Sequence, residues 1–232
     1  MSERAATLRC DRVVARLGDR EVLRDVTLDL DARTTAIIGD NGSGKSTFAR
    51  LIAGLVRRTS GELAVLGLDP ERDAADLRRR VALVLSNPDV QIIMPTVAED
   101  VALSLRPLRL AHEERNRRVA AVLERFGLDA LADRPAHDLS GGQKQLLALA
   151  GAFVRAPDLV VADEPTAFLD ARNARTVADH LLADTGHALV VVTHDLALAR
   201  RCERAVLFED GGVVASGIAA DVVGRYERAL AC

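Results

Sequence analysis

The stretch GDNGSGKST, Gly39 to Thr47, limits what this chain can fold into more than any other. Before it, Thr34 to Ile38 reads as a short strand. After it, from Thr47 to about Val56, the apolar residues recur at helical spacing. Strand, glycine-rich loop and helix in that order match G-x-x-x-x-G-K-[ST] in the context a phosphate-binding loop requires. The glycines let backbone N–H groups wrap a polyphosphate, and the helix N-terminus adds the positive end of its dipole. Lys45 supplies a point charge, and the Ser46 hydroxyl is a candidate Mg²⁺ ligand. Alone, the loop would also suit a GTPase or a small-molecule kinase.

The rest of the pattern sets an α/β frame around it. Residues 5 to 38 alternate apolar and polar around short turns such as Gly18-Asp19, which predicts an antiparallel β region. Leu159 to Ala162 and Ala188 to Val192 are apolar throughout, as strands of a parallel sheet covered on both faces are. Helical periods run from Ala111 to Phe126 and from about Gly142 to Arg155, so a helical insertion is expected between two halves of the sheet. With 232 residues, 49% of them hydrophobic, the expectation is one domain with its own core.

Two further stretches add chemistry. LVVADE ends a buried strand in Asp163, placed to hold Mg²⁺ through water, and in Glu164, which could polarise an attacking water. The plainer reading of that pair is a cap on the helix after Pro165. In LSGGQKQ, Ser140 is a good N-cap, and Gly141 and Gly142 would expose N–H groups to an anion. A second phosphate-binding helix end in a chain that already has one points to a nucleotide clasped between two protomers.

Taken together, these motifs resemble the nucleotide-binding subunit of an ABC transporter: the loop GDNGSGKST, the signature LSGGQKQ, the strand LVVADE, a D-loop-like AFLD from Ala167 to Asp170, and a switch histidine at His194. The resemblance covers nearly the whole chain. It implies a P-loop NTPase in which residues 1–232 form one nucleotide-binding domain. Its parts would be a RecA-like parallel-sheet core, an N-terminal antiparallel β region and a helical subdomain inserted at about 87–155. It also implies an ATPase in which ATP and Mg²⁺ lie on Gly39, Asp40, Asn41, Gly42, Ser43, Gly44, Lys45, Ser46 and Thr47. Ser140, Gly141 and Gly142 of one subunit would then contact the γ-phosphate held by the other, with Asp170, also nucleotide-binding, at that seam. His194, which alone reads as an ordinary strand-end histidine, would touch that phosphate.

The stretch NPDVQIIMPTVAED, Asn87 to Asp100, is similar to energy-coupling-factor (ECF) importer ATPases, above all to their biotin-transporter branch. Two prolines make regular structure across it unlikely, so it is expected on the surface. The resemblance implies that Ile92, Ile93 and Met94 form the docking surface for an integral membrane subunit. The alternative is that they fold back onto the helical insertion. Two positions depart from the family. Ser86 stands where relatives carry a glutamine that reaches Mg²⁺ and water, and Leu17, with Arg16 beside it, stands where many carry an aromatic residue under adenine.

The expected function is thus an ATP-hydrolysing importer subunit of ECF type, with biotin as cargo. The alternatives are a cobalt or nickel ECF importer and a conventional ABC transporter. Soluble ABC proteins of DNA repair or translation are disfavoured, because no coiled-coil insertion or second cassette fits the length. A formal net charge of −3 argues against a nucleic-acid partner. No run has the length of a signal peptide or a membrane span, so a peripheral position on the cytoplasmic face of the membrane is expected. Cys10, Cys202 and Cys232 lack metal-ligand spacing and read as reduced structural thiols.

Overall fold

The computed structural model describes residues 7–183 and 186–231. In chain order these form β1 (Leu8–Leu17), β2 (Arg20–Leu30), β3 (Thr34–Gly39), α1 (Lys45–Ile52), β4 (Ser60–Val65), α2 (Ala74–Arg80) and β5 (Val81–Val84). Four segments follow: α3 (Val97–Leu103), α4 (His112–Arg125), α5 (Gly141–Phe153) and β6 (Leu159–Asp163). The chain then runs through α6 (Ala171–Leu182), β7 (Ala188–Val192), α7 (Leu196–Arg200), β8 (Arg204–Glu209), β9 (Gly212–Ile218) and α8 (Ala219–Leu230). The described residues divide into two units. One comprises those of 1–83, 158–164 and 184–232, and the other 84–157 and 165–183.

In the first unit, β1 pairs antiparallel with both β2 and β4, and the turn between β1 and β2 is Gly18-Asp19. A second sheet runs β5-β6-β7-β3-β8-β9, with β6, β7, β3 and β8 parallel and β9 antiparallel at the edge. Every residue of β3 and β6 is buried, which is why their sequences are apolar without alternation. Phe48 of α1 meets Phe208 of β8 with ring centroids 5.0 Å apart, and both are fully buried. Burying such a side chain contributes about 2–3 kcal/mol and fixes the helix that follows the phosphate loop.

The helix after the loop starts and ends earlier than its apolar period predicts, covering Lys45–Ile52 and not Thr47 to Val56. Gly54, at φ 71°, stops it with a left-handed residue after the cap. Cys10 and Cys202 are buried free thiols, pushed up to about 12 chiefly by that burial. Cys232 lies outside the described residues.

The second unit is helical. Phe126 packs on Phe153 of α5 at 5.7 Å and on His180 of α6 at 4.5 Å, and the Arg125 guanidinium lies 4.6 Å over the Phe153 ring. Val119, Val122 and Leu123 give α4 its buried stripe, while Glu114 pairs with Arg117 and Arg118 on the solvated face.

Candidate nucleotide site

β3 delivers the chain to Gly39, and the loop returns into α1 at Lys45. The Lys45 ammonium donates to the backbone carbonyls of Gly39 and Asp40, both at 2.7 Å, so it is held across the mouth of its own loop. Burial lowers its pKa, opposed by the charges of Glu164, Asp40 and Asp163. Ser43 is 4% exposed, and its Oγ has no partner among the described residues. An unmatched buried hydroxyl costs about 1–3 kcal/mol, and a phosphate oxygen cradled by the loop is an acceptor of the right kind.

Parallel pairing of β6 beside β7, and of β7 beside β3, brings the acidic strand end to the same edge of the sheet. Ser46 Oγ donates to Asp163 Oδ1 at 2.9 Å. This hydroxyl and carboxylate are hard oxygen donors, and Mg²⁺ characteristically takes one or two such protein ligands, with phosphate and water completing its shell. Among the described residues, no group of three or more His, Cys, Asp or Glu could hold a metal ion. The Ser46 hydroxyl and Asp163 carboxylate, two hard oxygen donors side by side, fit a cation shared with phosphate.

Glu164 takes a left-handed backbone, φ 52°, and its N–H donates to Val192 O at 2.8 Å. Its Oε2 accepts the His194 N–H at 3.2 Å and meets His194 Nδ1 at 2.7 Å. The histidine thus lies against the candidate base, a pairing that the sequence does not signal. A cavity of about 360 Å³ opens over the loop, lined by Asn41, Gly42 and Gly44 to Thr47, by Glu164 and by Leu17, Arg20 and Val22 of the β1–β2 hairpin. Leu17, 46% exposed, is in the cavity wall as its position implies, but the arginine there is Arg20. Arg20 is the cross-strand partner of Leu17, whereas Arg16 pairs with Glu21. Sequence adjacency misled here because neighbouring residues on a strand point to opposite faces.

In the helical unit, Ser140 caps α5 in a reciprocal box: its Oγ accepts the Gln143 N–H at 3.4 Å and its own N–H donates to Gln143 Oε1 at 2.9 Å. Gly141 has open space about it. A Cβ on Gly142 would lie 2.6 Å from the Asn173 side chain. Asn173 in turn bonds Asp170, the cap of α6, through its backbone N–H at 2.9 Å and its side-chain amide at 2.7 Å. Those bonds, the backbone one first, hold the Asp170 carboxyl below its usual range. Signature and D-loop are thereby brought together, and beside them Phe168 is 96% exposed at φ 63°.

From Leu85 to Thr96 the chain holds one 3-10 turn, Pro88–Val90, and is otherwise irregular before α3 begins at Val97, as its prolines predict, but it is tied down. The Leu85 N–H donates to Gln91 Oε1 at 2.7 Å, and buried Gln145 donates to Leu85 O at 3.3 Å. Asp89 pairs with Lys144 at 2.7 Å, and buried Asp100 accepts the N–H groups of Ile93 and Met94 at 2.8 and 3.0 Å. Of the three expected docking residues only Ile93 is broadly exposed, at 69%, whereas Ile92 and Met94 are half-buried. Val90, 62% exposed, joins Ile93 on the surface. Asp100 and Gln145 look like ordinary helix residues in the sequence, which gave no sign of either tie.

Phosphate loop, acidic strand end and cavity define a P-loop nucleotide hydrolase. A family model described as "ABC transporter" matches residues 23–167. The chain is 40% identical over 217 residues to the biotin transport ATP-binding protein BioM of Rhizobium etli, covering 92% of this chain and 95% of that protein. Its fold is similar to that of cbiO1 from Clostridium perfringens, part of the ABC transporter complex cbiONQ. That match has a TM-score of 0.86 and 28% identity, over 96% of this chain and 92% of the other. It is also similar to the ATP-binding cassette MJ0796 in a dimeric post-hydrolysis state with ADP and Pi, at TM-score 0.80 and 29% identity over 91% and 98% of the two chains. The chain belongs to the ABC transporter family, as an ATP-hydrolysing, ATP-binding subunit. No helix among the described residues is long and apolar enough to cross a membrane.

Proposed function

We propose that this subunit drives an ECF-type importer whose cargo is biotin, working at the cytoplasmic face of the membrane as a dimer around two Mg-ATP molecules. The observation that carries the chemistry is the row Ser46, Asp163, Glu164, His194 along one edge of the sheet. The N–H groups of Gly39 to Thr47 and the Lys45 ammonium hold the triphosphate. Ser46, and Asp163 through water, would hold Mg²⁺, which would supply positive charge to offset that of the phosphates. Glu164 orients and polarises the attacking water, and His194 keeps that carboxylate aimed while reaching the γ-phosphate.

The dimer reading is supported by the exposed Phe168 beside the Gly142–Asn173–Asp170 contact, and by the dimeric state of MJ0796. Ser140 to Gly142 and Asp170 of one subunit would close on the phosphate loop of the other. The exposed Ile93 and Val90, on a loop stiffened by Asp100, support docking of a membrane subunit, and the likeness to BioM supports biotin as cargo. Co-expression with candidate membrane subunits, followed by uptake of radiolabelled biotin with and without this chain, tests the reading. ATP-dependent biotin uptake that needs the chain supports it. A membrane partner whose uptake of nickel or cobalt, and not of biotin, needs the chain overturns the cargo.

A further inference from the structure

The phosphate loop carries an acidic side chain although its ligand is a polyanion. Asp40 follows Gly39 directly, its backbone carbonyl accepts the Lys45 ammonium, and its carboxylate is exposed at the rim of the loop. A carboxylate turned inward would oppose the positive field that Lys45 and the N-terminus of α1 supply. It is instead engaged from the far end of the chain. The hydroxyl of Tyr226, the single tyrosine, donates to Asp40 Oδ1 at 2.6 Å.

The donor is well fixed. Val222 and Val223 bury the inner face of α8, and Glu227, next to Tyr226, pairs with Arg200 at the end of α7. The β8–β9 turn braces the same loop, with the Gly211 N–H donating to Ser43 O at 3.1 Å. The cavity over the loop is lined by Asn41 and Gly42, and Asp40 is not among its lining residues.

We propose that Tyr226 is a positioning residue for nucleotide binding: it clasps the Asp40 carboxylate outside the phosphate loop and so preserves the loop's affinity for a triphosphate. The phenol is pushed up to about 12, first by burial, then by its hydrogen bond to Asp40 and the charge of that carboxylate. It therefore stays a donor across neutral pH. The inference rests on the loop binding ATP, and it adds a contact from outside the loop that decides how well.

The test is titration of the full chain with Mg-ATP, in a square of wild type, Tyr226→Phe, Asp40→Asn and the double variant. Tyr226→Phe keeps the ring and loses the clasp, so Kd should rise roughly threefold to tenfold, with turnover at saturating ATP changed much less. Asp40→Asn removes the repelling charge. It should bind ATP more tightly than wild type, and in that background Tyr226→Phe should have no further effect. Weakening by Tyr226→Phe that is equal in both backgrounds would mean that the tyrosine merely supports its helix, and overturns the proposal. So would no weakening at all. If Tyr226→Phe does not fold, weaker binding by Asp40→Asn than by wild type overturns it too. A wild-type chain that binds no Mg-ATP overturns the nucleotide reading itself, and that failure is distinct from the others.

Discussion

Replacing Ile93 separates a docking surface from a structural one, because the residue is 69% exposed in the subunit by itself. Full burial of an isoleucine side chain contributes about 1.5–3 kcal/mol, so the part still in water has about 1–2 kcal/mol left to give to a partner helix. Ile93→Ala should weaken capture of the membrane subunit by roughly five- to thirtyfold. Ile93→Glu should abolish it, since an unpaired carboxylate buried in a close-packed contact costs several kcal/mol. The free subunit should scarcely notice either change. A surface substitution shifts stability by about 0.5 kcal/mol or less, roughly 2 °C or less in Tm for a domain of this size. The assay is a pull-down by the membrane subunit beside a thermal melt and an Mg-ATP titration of the isolated chain. Asp100→Ala, which frees the N–H groups of Ile93 and Met94, should lose capture as well but also lower the melt, because Asp100 is buried. A melt that collapses in Ile93→Glu while capture by the folded fraction stays normal would refute the docking argument and return Ile93 to the subunit's own core.

Three other outcomes are expected. Glu164→Gln should bind Mg-ATP as wild type does while phosphate release falls by about a hundredfold or more, since an amide keeps the shape of the carboxylate but cannot accept the proton; undiminished steady-state turnover refutes the role. Ser86→Gln should maintain or raise Mg-dependent turnover in the assembled complex, and a large loss with folding and assembly intact would show the loop reshaped around serine. Arg58 bonds Asp69 at 2.8 and 3.2 Å and, with lesser help from the N–H groups of Glu71 and Arg72, holds its carboxyl well below the usual range. A depressed folded-state pKa stabilises above the unfolded value and is lost as pH falls through the folded one. Asp69→Asn should therefore cost about 1–2 kcal/mol in urea melts at pH 7, and that gap should shrink below about pH 4; a gap independent of pH refutes the assignment.

The parts of this molecule legible in the sequence are those whose physics is local. An apolar strand, a glycine-rich turn and an amphipathic helix are adjacent in GDNGSGKST and its flanks, so the loop could be read with its context. Ser140 and Gln143 are three residues apart, and their capping box is a sequence pattern as much as a structural one. What could not be read joins distant positions: Ser46 to Asp163 across 117 residues, Glu164 to His194 across 30, and Asp40 to Tyr226 across 186. Nor does any local signal pair β4 with β1. The β8–β9 hairpin, by contrast, is signalled locally, by an Asp210-Gly211 turn with both residues at positive φ between its two strands. Residue type was a poor guide to exposure as well, since Ile92, Ile93 and Met94 are alike in apolarity and differ because Asp100 fixes the loop's path.

Ser86 shows how position and mechanism come apart. Reading along the motif predicts a long polar side chain there, and its replacement by serine looks like a lost contact. Yet the residue before it is gripped from both sides, its N–H by Gln91 and its carbonyl by Gln145. Gln91 is six residues away and Gln145 sixty, so one grip is local and the other depends on α5 packing beside the loop. Both hold the backbone through Leu85 and neither uses the Ser86 side chain. A loop held in that way does not rely on residue 86 for its shape. What Ser86 changes is the reach of one side chain from a fixed Cα, and that is why restoring length with Ser86→Gln tests contact with metal and water without first rebuilding the loop.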